Sequence, residues 1–142
     1  MLLVTRIDPS RGVNLARGSV VTTSGGAPVT SNLRYLTDGN PWNAGYAGVA
    51  TQYQDSPWLM LDLGSERTVS RVLVYSCVQC EHPLIVPLIL ELSRDGRSFE
   101  EVERQVQRFD LWEPVIPPRP ARFVRFRLLG RGYLRFREIE VY

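Results

Sequence analysis

Lysine is missing altogether: every one of the 17 basic residues is arginine. That bias, with the abundance of Gly, Pro, Val and Leu, is what GC-rich bacterial coding favours. Physically, it gives the surface planar guanidinium forks suited to bidentate pairing and stacking. Acidic residues number 15, so the net charge of +2 is too small to imply a nucleic-acid partner. Cysteine is scarce: Cys77 and Cys80 are too few for a disulfide framework, and a lone Cys-x-x-Cys is only half of a four-ligand zinc site. No apolar run approaches the ~20 residues of a membrane-spanning helix. Met1 to Val4 is cut short by Arg6 and Asp8, so no signal-peptide core forms, and a targeting segment would lie outside this chain. Long polar runs, internal repeats and low-complexity segments are also absent. What remains is 142 residues, 44% hydrophobic, the size of one ordered domain spanning 1–142.

Period-two apolar patterning is what the chain does contain, broken by turn residues. Trp58-Leu59-Met60-Leu61-Asp62-Leu63 ends at Gly64, and Val72-Leu73-Val74-Tyr75 is apolar on both faces, as a central sandwich strand is. Leu88 to Leu92 leads into Ser93-Arg94-Asp95-Gly96, a turn signal. Val124, Phe126 and Leu128 alternate with Arg125 and Arg127 in a half-buried strand. Residues 98–109 are ambiguous. Phe99, Val102, Val106 and Phe109 recur near helical spacing, yet their place after a strand and an Asp-Gly turn favours a hairpin strand. Pro114 to Pro120 reads as a rigid loop. Trp58 is assigned to the core, and Trp112 to a strand rather than a ligand contact.

The last strand carries an irregularity. Leu134 and Phe136 share one parity, Ile139 and Val141 the other, and a regular strand would send one pair to solvent. A β-bulge near Arg137-Glu138 lets all four face the core and makes Glu138 a candidate functional residue. The plainer alternative is a solvated strand glutamate. Many short strands without βαβ alternation define an all-β sandwich or jelly roll.

Seven strings then fit one pattern in order: Asn14 to Gly18, Leu36 to Asn40, Trp58 to Gly64, Val69 to Val72, Leu92 to Gly96, Ala121 to Arg125 and Glu138 to Tyr142. From about residue 14 to residue 142 the chain resembles the discoidin, or coagulation-factor type C, family. It is most similar to the bacterial branch of galactose-binding-like carbohydrate-binding modules. The resemblance implies an eight-stranded antiparallel jelly-roll β-sandwich with a ligand site on loops at one end. It further implies a structural calcium ion held by Asp38, Glu138, the carbonyls of Tyr35, Asn40 and Arg137, and an oxygen of Asn43. Mixed carboxylate and carbonyl donors suit calcium. The alternative is an Asp38 that caps its own turn. The terminal disulfide of the coagulation-factor branch is absent.

Sugar recognition needs an apolar platform under a ring plus a few fixed polar groups. The candidates are Trp42 and Tyr46 for the platform, with His82, Arg131 and Tyr133 nearby. Each also has a structural reading, as loop staple, edge packing or idle surface histidine. Sugar-binding relatives often place an arginine after the strand matching Val72 to Tyr75; here Ser76 and Cys77 follow. Cys77, Cys80 and His82 would make a legal three-ligand zinc site, although a local disulfide or two free thiols is the ordinary reading.

Neither a nucleophile elbow, a His-Glu-x-x-His motif nor a phosphate-cradling glycine loop occurs, and a glycosidase needs two carboxyl groups facing one cleft. The expectation is therefore a non-catalytic glycan-binding module, monomeric or part of a larger protein, and extracytoplasmic if it is an excised module. The competing readings are a protein-interaction domain, with Leu84-Ile85-Val86-Pro87 as its apolar patch, and a peripheral membrane binder using the same tip. Nucleic-acid binding through Arg125, Arg127, Arg135 and Arg137 is not expected.

Overall fold

A computed structural model describes residues 12–25, 33–45, 48–77 and 86–142. Ten strands follow in order: β1 (Val20–Thr23), β2 (Val49–Ala50), β3 (Gln54–Asp55), β4 (Trp58–Ser76), β5 (Leu88–Ser93), β6 (Glu100–Gln105), β7 (Leu111–Trp112), β8 (Val115–Leu128), β9 (Arg131–Gly132) and β10 (Arg135–Val141). A short 3-10 turn, Leu33–Leu36, precedes β2. Eight of the strands form one antiparallel hydrogen-bonded network, and β3 pairs with β9 as a separate ribbon.

The long β4 makes a sandwich of this network. Its first half pairs with β1 and β8, and β8 continues to β5 and β6. Its second half pairs with β10, which continues to β2, and with β7. Between the halves the register shifts from Asp62 to Arg67 around Gly64, whose φ is +87°. Leu59, Leu61, Leu63, Val124, Phe126 and Leu128 point inward from one layer, and Val72, Val74, Phe136, Ile139 and Val141 from the other. Phe126 and Phe136 meet across the layers with ring centroids 5.7 Å apart. The outer side of β5 and β8 is charged but neutralised. Glu91, almost buried on β5, is gripped by Arg125 at 3.1 Å and Arg127 at 2.9 Å.

Residues 100–105 are strand, paired along β5, so hairpin context prevails over the helical spacing. Val102 and Phe109 still reach the core, while Val106 is exposed. The bulge falls at the predicted place: Phe136 opposes Ser76 and Glu138 opposes Tyr75, so Arg137 and Glu138 share one partner position. Leu134, Phe136, Ile139 and Val141 all enter the core as a result.

Two expectations are corrected. Pro114 to Pro120 is not a rigid loop, because Val115 to Pro120 form the first part of β8. Proline's fixed φ fits an extended chain, and this stretch pairs with β4 alone, since β5 joins β8 only from Phe123 onward. The missing N–H groups therefore fall where no second neighbour needs them. Trp58 is not a core residue but half-buried, because period two gives the inward positions to Leu59, Leu61 and Leu63. Trp112, by contrast, is buried in the core from strand β7.

Candidate functional site

Register alone brings the relevant loops to one end. The second half of β4 ends at Ser76 opposite the start of β10, and β5 begins at Leu88 opposite the end of β8. Leu129 N–H donates to the Pro87 carbonyl at 3.0 Å, tying the segment after β8 to the one before β5. The loop after the 3-10 turn is drawn in by Glu138, whose Oε2 accepts the Gly39 N–H at 2.7 Å.

Glu138 is the most unusual side chain at this end. It is 0% exposed, and its Oε1 is buried without a hydrogen-bond partner. Burial, reinforced by the Asp38 charge and opposed by the Gly39 N–H, pushes its carboxyl up to about 9. Two carboxylates placed this close need a proton or a cation between them. Asp38 is itself built into the loop. Its Oδ1 accepts the Asn40 N–H at 2.9 Å, and its Oδ2 accepts from the Asn43 side-chain amide at 2.7 Å. The Asn40 amide in turn donates to Asn43 Oδ1 at 3.2 Å, and Asn40 Oδ1 accepts the Trp42 N–H at 2.9 Å. Asp38 thus caps its own turn and also faces a buried acid. Two carboxylates, one of them with an orphaned oxygen, and two carboxamides form an oxygen-rich donor set that suits a hard divalent cation.

The bulge serves a second purpose through Arg137. Its side chain is only 6% exposed, with Nε donating to the Ser76 carbonyl at 2.6 Å and Nη1 to the Pro41 carbonyl at 3.3 Å. The guanidinium lies 4.6 Å from the Trp42 ring centroid and 5.6 Å from that of Tyr75. Trp42, 56% exposed, is therefore a large ring presented to solvent and backed by a buried cation. Desolvation lowers the Arg137 pKa from its usual value.

A second aromatic cluster surrounds the β3–β9 ribbon. Tyr53 and Tyr133 meet edge to face at 6.4 Å. Arg131 packs 5.3 Å over Tyr53 and pairs with Asp55 at 2.9 Å, while Arg135 packs 5.1 Å over Tyr133. Of the sequence candidates, Asp38, Asn40, Asn43 and Glu138 converge, Trp42 stands beside them on Arg137, and Arg131 and Tyr133 form the other cluster. Tyr35 sits on the 3-10 turn two residues before the loop. Tyr46, His82, Cys80, Leu84 and Ile85 lie outside the described residues. Cys77 is disulfide-bonded, which removes both the free thiol and the zinc ligand weighed for it. Sequence reasoning gave Tyr75 and Arg135 no place at the site. The available signal was parity, since Tyr133, Arg135 and Arg137 all alternate with the core residues Leu134 and Phe136.

The architecture is that of the galactose-binding-like, discoidin-type β-sandwich. No protein-family model matches the chain, and no curated protein matches it. Solved structures do. The lectin domain of lectinolysin in complex with Lewis B antigen is 21% identical with a TM-score of 0.75, covering 93% of this chain and 97% of that one. A fucose-binding module from Streptococcus pneumoniae is 21% identical with a TM-score of 0.76, over 92% and 94%. The module CpGH89CBM32-5 from Clostridium perfringens, in complex with GalNAc-β-1,3-galactose, is 18% identical with a TM-score of 0.74, over 92% and 99%.

Proposed function

We propose that this chain is a non-catalytic carbohydrate-binding module whose loops at one end of the sandwich hold a glycan, braced by a structural calcium ion. The observation that carries the reading is Trp42: an exposed ring at the loop end, backed by Arg137, on the same short loop as Asp38, Asn40 and Asn43. The C–H face of a sugar packs on such a ring, and neighbouring polar groups fix its orientation. Likeness in fold to modules crystallised with Lewis B antigen and with GalNAc-β-1,3-galactose supports a glycan as the partner class.

The calcium ligands in this reading are the carboxylates of Asp38 and Glu138, the carbonyls of Tyr35, Asn40 and Arg137, and an oxygen of Asn43. The ion would supply positive charge to the orphaned Glu138 Oε1 and lock the loop that presents Trp42. Among the described residues the close carboxyl pair at this end, Asp38 with Glu138, is taken up in that role and so does not serve as the acid–base pair of a glycoside hydrolysis.

A glycan array probed with calcium and again with chelator is the direct test. Discrete glycan hits that weaken under chelation support both parts. Hits that persist undiminished would remove calcium from the reading, and a blank array on folded protein would remove the glycan. Trp42→Ala should lower glycan affinity roughly ten-fold or more while leaving stability nearly unchanged, because the ring is exposed. Binding unaffected by that change would place the platform elsewhere.

A further inference from the structure

The arginines of the two layers are partnered differently. All four on β8 pair with carboxylates: Arg119 with Glu100, Arg122 with Asp62, and both Arg125 and Arg127 with Glu91. On β10, neither Arg135 nor Arg137 pairs with a carboxylate among the described residues. Arg137 is satisfied by the Ser76 and Pro41 carbonyls. Arg135 is not: its Nε is buried without a partner, and its guanidinium rests only on the Tyr133 ring. Arg135 is half-buried, and with no carboxylate partner its remaining guanidinium N–H groups can donate to an arriving anion.

The surroundings indicate what kind of anion. Arg135 closes a row that runs Arg131, Tyr53, Tyr133, Arg135, two rings flanked by a cation at each end. Asp55 neutralises the Arg131 end, leaving Arg135 as the open one. Tyr53 is 61% exposed, so the row presents aromatic surface to solvent. A single uncompensated guanidinium beside aromatic rings matches one carboxylate on a ring-shaped ligand, since the planar fork donates two parallel N–H bonds to a carboxylate. It does not match a polyanion, because the arginines of β8 are already neutralised by Glu100, Asp62 and Glu91.

We propose that Tyr53, Tyr133 and Arg135 form an acidic-sugar subsite, the rings taking the sugar face and Arg135 taking a carboxylate of the same residue. The inference rests on the glycan reading above and narrows it to glycans carrying a uronic or sialic acid. Asp55 then acts against the same ligand by holding a negative charge at the other end of the row.

Calorimetric titration of the full chain in calcium with matched pairs tests this: sialyllactose against lactose, and oligogalacturonate against neutral galacto-oligosaccharide. The acidic member of at least one pair should bind about ten-fold tighter, and the preference should shrink as salt rises. Arg135→Gln should return the acidic sugar to the affinity of its neutral partner. Asp55→Asn should tighten the acidic sugar, a gain that misfolding cannot mimic. Tyr53→Ala, at an exposed position, should weaken both members of a pair alike. Equal or stronger binding of the neutral sugars overturns the subsite and leaves the glycan reading standing. No binding to these pairs or to any arrayed glycan by folded protein overturns both. Tighter binding of a single-stranded oligonucleotide, lost in Arg135→Gln, overturns the subsite in favour of nucleic acid.

Discussion

Two glycines in the loop before β2 differ in why a side chain would harm them. Gly45 and Gly48 both have positive φ, at +72° and +76°. A Cβ on Gly45 meets open space, so Gly45→Ala should cost only the left-handed backbone penalty of about 1–2 kcal/mol. A Cβ on Gly48 would collide with the Phe136 carbonyl group, whose carbon would lie 2.7 Å away. Gly48→Ala should therefore cost roughly 3 kcal/mol or more, and denaturant melts of the two variants check the difference. Asp95 illustrates a residue whose role was readable. The Asp-Gly turn signal is realised by its Oδ1, which accepts the Arg97 and Ser98 N–H groups and the Ser93 hydroxyl. The Ser98 and Arg97 N–H bonds hold its carboxyl down at about 2, from an ordinary value of 3.8. A depressed folded pKa gives stability that is fully present above 3.8 and is lost as pH falls toward 2. Carboxyl titration by NMR should place Asp95 near 2, and Asp95→Asn should flatten the acid limb of the stability curve over that window.

At the scale of elements, β10 is the most informative strand. Its bulge was legible because parity is strict: one extra residue is the simplest way to bury Leu134, Phe136, Ile139 and Val141 together. What the bulge does with Arg137 was not legible, since no pattern in the chain links that residue to Trp42, Pro41 and Tyr75. The prolines of β8 were misread because their tolerance depends on which neighbour a strand lacks, and that is a property of the sheet. Residues 100–105 were readable as strand only from their neighbours in sequence. The two layers should stand or fall together through the Phe126–Phe136 contact. Phe136→Ala should lower unfolding free energy by about 3–5 kcal/mol in chemical denaturation, with a single transition.

For the whole molecule, charge and cation are the governing questions. A net charge of +2 conceals an uneven layout, with ion pairs along β8 and uncompensated arginine on β10. If calcium joins Asp38 to Glu138, the folded state alone binds it. At a calcium level a hundred times Kd the melting temperature should rise by on the order of 8 °C, and chelator should reverse the rise. Glu138→Gln should abolish the calcium-dependent shift; a shift that survives in that variant would exclude Glu138 as a ligand. The all-β class, the turns and the bulge were determined by the sequence itself. Each is a local matter of period, parity and residue chemistry, and each is written in consecutive positions. Only the tertiary structure decided which arginines are neutralised and which ring backs which cation. It likewise decided that Glu138 keeps an oxygen without a partner. Those outcomes depend on residues far apart in the chain, such as Trp42 with Arg137 or Tyr53 with Tyr133, meeting across loops and layers. Closing a sandwich makes such contacts, and period and spacing carry no record of them.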